Sequence, residues 1–473
     1  MSNTNLKGRR DIFGESSFLL GRNPERPSPV HVINGFLRAA FGRKEVGQKI
    51  IAIINDRDEV LPTPPISKSI SENYKSDELF RKSLSVILNP DRRAWKEIGS
   101  LFPLHGEFIT NDPSDDGYGR SMWKLVAGID TNFKNVLDGL LFSDNSPDAL
   151  TSMGILLSGI NTSNNHEVGS STKIPPPWQV SRGKLSAKFA NNVTTMITSS
   201  ISSNIHRIRS AKIVAMTTAI YFATWLSILR SVCFSDRPIN TWAELAPMFF
   251  YAGLPPGNPQ DPAVRLSSRS FESIVDECRS SLINIIRKKI AKPRVPTKIP
   301  KTQRNLIKIT KAFPSLNKKD IDNLNQLLKP DATNESIVET LFSEVYPIGH
   351  LEKGFRSMGR KIGLAGPERG FGSPRFMFET SMLGLLVDST VGITEQVSYA
   401  EWLDRIYEKF GILVGFGKQT DTHELITALK MPGPTYTAVE ENHDLLRRRL
   451  IRSGLASEYS DGETEIHRHD GEK

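Results

Sequence analysis

The chain has 473 residues, is 38% hydrophobic and 24% charged, and carries a formal net charge of +9. Its 23 Phe, 9 Tyr and 6 Trp supply enough apolar surface for packed cores, which excludes wholesale disorder, and the length predicts several domains. Two cysteines, Cys233 and Cys278, exclude a disulfide framework and a four-thiolate zinc site. The first ten residues are charged with no apolar stretch behind them, so the expected compartment is a reducing cytoplasm.

In chain order, residues 1–160 predict a mostly helical domain with one short buried strand. Its helix candidates are His31–Phe41, a stretch from Ser76 to about Phe102, and Trp123–Leu141. Lys49–Asn55 reads as the strand, and Asn111–Gly117 as a loop. The polar stretch from Ser158 to Pro177 marks a boundary. Residues 178–290 then predict a helical domain, with one or two long helices between Lys184 and Phe234. Within it, Ile213–Leu229 carries no charge, but it is short for a membrane span and diluted by Thr and Ser. It reads as a buried core helix, with no stable membrane insertion. Residues 236–270 look like loop, and Phe271–Ile290 like helix.

The positive charge is concentrated in one place. The segment 287–311 contains Arg287, Lys288, Lys289, Lys292, Arg294, Lys298, Lys301, Arg304, Lys308 and Lys311 with no acid, which leaves the rest of the chain close to neutral. Pro293, Pro296 and Pro300 break any continuous helix and favour extended backbone. Such a strip suits either contact with phosphates, through counterion release, or a self-repelling linker. Residues 312–376 predict a helical segment and a second basic stretch. In Gly349–Arg375, seven glycines are interleaved with Lys353, Arg356, Arg360, Lys361, Arg369 and Arg375, and with Phe355 and Phe371. A mobile loop with phosphate-binding capacity is expected there.

Residues 377–466 predict a winged-helix-like module. It contains a helix at Met377–Asp388 and a Ser398-x-x-Glu401 capping box opening a helix that Gly411 stops. A strand at Ile412–Phe416, a helix capped by Asn442 and a last strand at Glu463–Ile466 follow. Arg447, Arg448 and Arg449 on that last helix are candidates for nucleic-acid contact, against the alternative of a solvated helix face. Residues 467–473 read as a disordered tail. The expected fold class is mainly α and multidomain, closed by this small α+β module.

Motifs for chemistry fail. Gly42–Lys49 has Gln48 where a phosphate-binding loop needs Lys, and Gly417-Lys418-Gln419-Thr420 lacks the upstream glycine. His-Glu-x-x-His and Gly-x-Ser-x-Gly are absent, and no Cys/His cluster has metal-ligand spacing. Asp56 and Asp58 after the predicted strand are the one place where a divergent metal-dependent nuclease would put carboxylates. No cofactor and no metal are expected.

The segments Tyr399-Ala-Glu-Trp-Leu403, Tyr407-Glu-Lys-Phe-Gly-Ile412, Leu446-Arg-Arg-Arg-Leu-Ile-Arg-Ser-Gly-Leu455 and Tyr459-Ser-Asp-Gly-Glu463 resemble the ends of accessory subunits from bacterial anti-phage defence islands. The resemblance implies a cytoplasmic, multi-protein antiviral setting, with DNA and other defence-system proteins as partners, and it transfers no active site. The expectation is a non-enzymatic nucleic-acid-binding or scaffolding component. A nuclease using Asp56 and Asp58 and a scaffold without nucleic-acid contact are the alternatives.

Overall fold

The computed structural model describes residues 29–41, 113–142, 183–202, 209–253, 257–295, 298–313, 318–328, 332–345, 349–367, 373–427, 429 and 435–468. The described residues are mainly helical, with a few very short strands. They fall into two compact units. One holds the described residues between Pro27 and Ile174 and those of Val193–Thr224; the other holds those of Pro175–Asn192 and Trp225–His469. The strand expected at 49–55, Asp56, Asp58, the helix expected from Ser76 and the boundary at 158–177 lie outside the described residues.

The first unit contains α1 (Pro29–Phe41), α2 (Pro113–Ile129) and α3 (Phe133–Phe142). Helix α2 begins within the stretch expected as loop, because Pro113 suits the first helical position and Asp115 and Asp116 suit the positive end of the dipole. Phe36 meets Trp123 edge-on at 5.5 Å and Phe133 at 6.3 Å, so all three helices share one aromatic cluster. Helices α1 and α2 touch through backbone. A Cβ on Gly119 would overlap the backbone of Val32 and Phe36, so the crossing needs glycine there.

Two long helices, α4 (Lys184–Ser202) and α5 (Arg209–Asp236), fill the interval expected to be helical and contribute to both units. Among the described residues, Lys212–Arg230 is the one stretch long and apolar enough to cross a membrane by length and composition. Its mean hydropathy is 1.5, and 67% of it is buried inside the protein, as expected of a core helix.

The second unit is organised around α6 (Pro262–Ala291), which follows β1 (Met248–Phe249). Helix α6 starts nine residues earlier than the sequence reading had it. Asp261 accepts a hydrogen bond from the Ala263 amide at 2.8 Å and Pro262 occupies the first turn, a start signal outweighed in the sequence by the polar run around Ser267 and Ser270. Next come α7 (Lys301–Ala312), α8 (Lys318–Leu327), α9 (Asn334–Val345) and α10 (Gly349–Lys361). Helix α10 replaces the first half of the expected glycine-rich loop. Phe355, Met358 and Ile362 are spaced to bury one face, and that periodicity outweighs the glycine content.

The remaining elements are β2 (Ala365–Gly366), β3 (Arg375–Phe376), α11 (Thr380–Thr390), β4 (Val397–Ser398), α12 (Tyr399–Phe410), β5 (Ile412–Leu413), α13 (Thr422–Thr427), α14 (Thr435–Arg452), β6 (Ala456–Glu458) and β7 (Thr464–Ile466). Strands β2 and β3 form an antiparallel pair, and β4, β7 and β6 form an antiparallel sheet in that order. The parallel pair β1–β5 joins residues 248–249 to the C-terminal elements, and Tyr251 bridges onward to Met377. Phe250 stacks on Phe378 at 4.3 Å and on Phe376 at 5.2 Å, and Trp225 meets Phe376 edge-on, which places the densest part of the core beside these short strands. At the start of α12, Ser398 accepts from the Glu401 amide. At its end, Gly411 adopts φ +69.

Candidate functional site

The basic segment 287–311 is divided by the fold into three parts. Arg287, Lys288 and Lys289 lie in the last turns of α6; residues 292–300 connect α6 to α7; and Lys301, Arg304, Lys308 and Lys311 belong to α7. Among the described residues of the strip only 292–295 and 298–300 lie outside helices, so the strip is not the continuous extended chain expected from its prolines. The helix ends are explained by local chemistry. Cations in the last turn of α6 face the negative end of its dipole, and Pro300 immediately precedes α7.

Several of these cations are committed within the protein. Lys288 donates to the Asp236 carboxylate at 2.8 Å, and Arg287 donates to the Asn284 side chain at 2.7 Å with Glu335 4.0 Å away. Lys289 lies 6.0 Å from the centre of the Phe313 ring. Arg304 donates to the Ile299 carbonyl, Lys308 to the Asn334 side chain at 3.2 Å, and Lys311 reaches the Arg294 carbonyl. Three remain. Lys292, Arg294 and Lys298 are exposed, and among the described residues their side chains meet neither an acid nor a hydrogen-bond acceptor. They sit on one short connector, rigidified at Pro293 and Pro300. The side chain of Lys301 lies outside the described part.

The other predicted residues are placed less openly. Arg356 and Arg360 are half-buried on α10, Lys361 is exposed at its end with intramolecular interactions of its own, and Arg369 lies outside the described residues. On α14, Arg447 is ion-paired to Glu458 at 2.8 Å and approaches Asp444 at 3.8 Å. Arg449 donates to the carbonyls of Ala252 at 2.7 Å and Phe378 at 3.1 Å, and its burial pulls its pKa below the ordinary arginine range. Arg448 alone of the three is exposed.

The inner face of α14 is held by Asn442, expected from sequence as a helix cap and found fully buried in mid-helix. Its Oδ1 accepts from the Ala252 amide at 2.8 Å, and its Nδ2 donates to the Phe250 and Val414 carbonyls at 2.9 and 2.7 Å. The helix begins at Thr435 instead, because the three backbone partners of Asn442 capture its side chain. The amides of Lys418, Gln419 and Thr420, in the segment tested above as a phosphate loop, all donate to the Asp404 carboxylate at 2.8–2.9 Å. That cradle is filled by the protein's own anion. Among the described residues no group of three His, Cys, Asp or Glu is arranged to hold a metal ion.

Sequence reasoning passed over Arg265 and Arg269 and saw Arg375 only as the end of the glycine-rich basic stretch; the fold brings all three to one cavity. The first two are spaced i, i+4 on α6 straight after the Asp261-Pro262 start, a detectable signal. Arg375 comes from β3, more than a hundred residues later, and nothing local announces its meeting with α6. No family model matches the chain, nor does any curated protein or solved structure.

Proposed function

We propose that this chain binds nucleic acid through the α6–α7 connector, as a non-enzymatic component of a multi-protein antiviral assembly in the cytoplasm. The supporting observation is the set Lys292, Arg294 and Lys298, three exposed cations left without acidic partners where the neighbouring cations are paired. An intramolecular role would have supplied carboxylates. Phosphates meet the same need and release counterions as they do so. Residues 377–466 fit a winged-helix-like reading, through the succession α11, β4, α12, α14, β6, β7 and the antiparallel order β4-β7-β6. In that reading α14 is a platform and not a groove reader, since Asn442 and Arg449 dock it against residues 250–252 and only Arg448 and Arg452 are left to approach phosphate. The antiviral setting rests on the C-terminal resemblance.

The test is a DNA-binding titration across salt concentrations, comparing the wild-type chain with K292Q/R294Q/K298Q. Affinity is expected to fall steeply with salt in the wild type. The triple variant is expected to bind more weakly, with the log–log slope reduced by up to about 2.7, at about 0.9 per lost phosphate contact. Absence of binding at low salt, or an unchanged slope in the variant, overturns the assignment. Salt-insensitive association with other proteins would then favour the scaffold alternative.

A further inference from the structure

We propose that the cavity beside the first turns of α6 is a binding site for a phosphate monoester, with Arg375 as its buried anchor. The cavity has a volume of about 300 Å³, and its walls include Arg265, Ser268, Arg269, Glu272, Ser373 and Arg375. That is room for a phosphate with an attached pentose and little more.

Arg375 carries the argument. Its side chain is only 2% exposed, and among the described residues its guanidinium has no hydrogen-bond acceptor and no ion-pair partner; its Nε is fully enclosed and unsatisfied. Asp261 acts on Arg375 electrostatically but makes no ion pair with it. One of its oxygens caps the Ala263 amide, and the group also takes the hydrogen bond of the Tyr251 hydroxyl. The four donors of the two terminal nitrogens on a permanently charged fork are thus left without a partner among the described residues, on the wall of the cavity. Burying a charge in this way is strongly unfavourable unless an anion arrives to meet it. Burial accordingly pulls the Arg375 pKa below the ordinary arginine range.

The other walls fit the same ligand. Arg265 is exposed, with no side-chain partner among the described residues, and the Ser268 hydroxyl is also without one although the residue is 8% exposed. Arg269 donates to Glu272 at 3.2 Å and to the Leu429 carbonyl at 3.4 Å, which orients its guanidinium. Three guanidiniums and one carboxylate leave the lining with a surplus of two positive charges, matching a monoester dianion. Guanidinium forks bind phosphate oxygens bidentately, and serine hydroxyls complete a tetrahedral group. The site is independent of the connector, which lies about 36 Å further along α6 at about 1.5 Å per residue. A free mononucleotide and the 5′-phosphate end of a nucleic-acid strand share this chemistry.

The experiment is calorimetric titration of the full chain with inorganic phosphate, ribose 5-phosphate, adenosine monophosphate, and an oligonucleotide with and without a 5′-phosphate. Chloride at matched ionic strength serves as control. R375M is expected to weaken phosphate and sugar-phosphate binding by about 10- to 100-fold, the loss of one or two charge-assisted hydrogen bonds. R265Q, altered at an exposed position, is expected to weaken it by about 3- to 10-fold and keeps the test decisive if R375M does not fold. In the absence of ligand R375M is expected to melt at or above the wild-type temperature, because it removes an unpaired buried charge. Tight binding confined to the mononucleotide, or to the 5′-phosphorylated strand, supports the site and identifies its source. No phosphate binding at 10 mM, or equal binding by wild type, R375M and R265Q, overturns it.

Discussion

Replacing Asn442 tests whether α14 is fastened to the core by polar bonds or by packing alone. The side chain is fully buried and makes three hydrogen bonds, one accepted from the Ala252 amide and two donated to the carbonyls of Phe250 and Val414. N442A leaves three buried backbone groups without partners. At about 1–3 kcal/mol for each unsatisfied group, the expected loss is about 3–9 kcal/mol, a large share of the roughly 5–15 kcal/mol that holds a domain together. N442D is the sharper probe. It keeps the acceptor for Ala252 but turns an oxygen towards two carbonyl oxygens, an arrangement only the protonated acid can relieve. The folded-state pKa of that carboxyl must therefore rise above its ordinary value. The variant's deficit relative to wild type is then greatest at pH 8 and shrinks as the pH falls towards 5. Urea unfolding followed by tryptophan fluorescence reads both, since Trp225, Trp242 and Trp402 lie in the same unit as α14. A loss below 1 kcal/mol for N442A, or a deficit in N442D that does not change with pH, would refute the reasoning.

Two further perturbations address other parts of the fold. His443 is half-buried, its Nδ1 accepts from the Phe416 amide at 3.2 Å, and desolvation lowers its pKa below 6.5. Its neutral form therefore contributes stability that is present above pH 6.5 and lost as the pH falls through the folded value. H443N keeps an acceptor that cannot titrate, so its melting temperature should fall less than that of the wild type between pH 7 and pH 5.5. In the first unit, G119A places a methyl group on the backbone of Val32 and Phe36 and should force α1 and α2 apart, at a cost of about 1–3 kcal/mol. Thermal unfolding monitored by near-ultraviolet circular dichroism checks this, and an unchanged melting temperature would show that the helices have room to spare.

What the sequence made legible was local. Helix α12 could be bounded from Ser398, Glu401 and Gly411 because caps act within one turn, and the structure has a cap bond at one end and a positive φ at the other. The existence of α4, α5 and β7 followed from composition and periodicity for the same reason. Asn442 was misread because its local preference for caps competes with partners about 190 residues away, which no short-range rule weighs. Helix α10 was obscured by glycines whose cost is repaid by the buried Phe355, Met358 and Ile362. The candidate site divides in the same way. The connector's cations were visible as a run without acids, whereas the arginine cavity joins α6 to β3 and exists only after folding.

The fates of the two basic runs separate charge in a sequence from charge on a surface. Successive residues of a helix point about 100° apart, so three consecutive arginines span about 200° and cannot share a face. Once Leu446 and Leu450 bury one side of α14, Arg447 and Arg449 must fall on its flanks, where Glu458 and the Ala252 and Phe378 carbonyls take them, and Arg448 keeps the outward direction. No such geometry constrains the connector between α6 and α7. Pro293 lacks an amide donor and follows the end of α6, and Lys292, Arg294 and Lys298 have no acidic partner among the described residues, unlike Arg287 and Lys288 before them. The same residue type therefore serves cohesion where a helix rotates it inward and remains available to an external polyanion where the backbone cannot. This is why binding should respond to the connector triple far more than to R447Q or R449Q, whose expected effect is on stability.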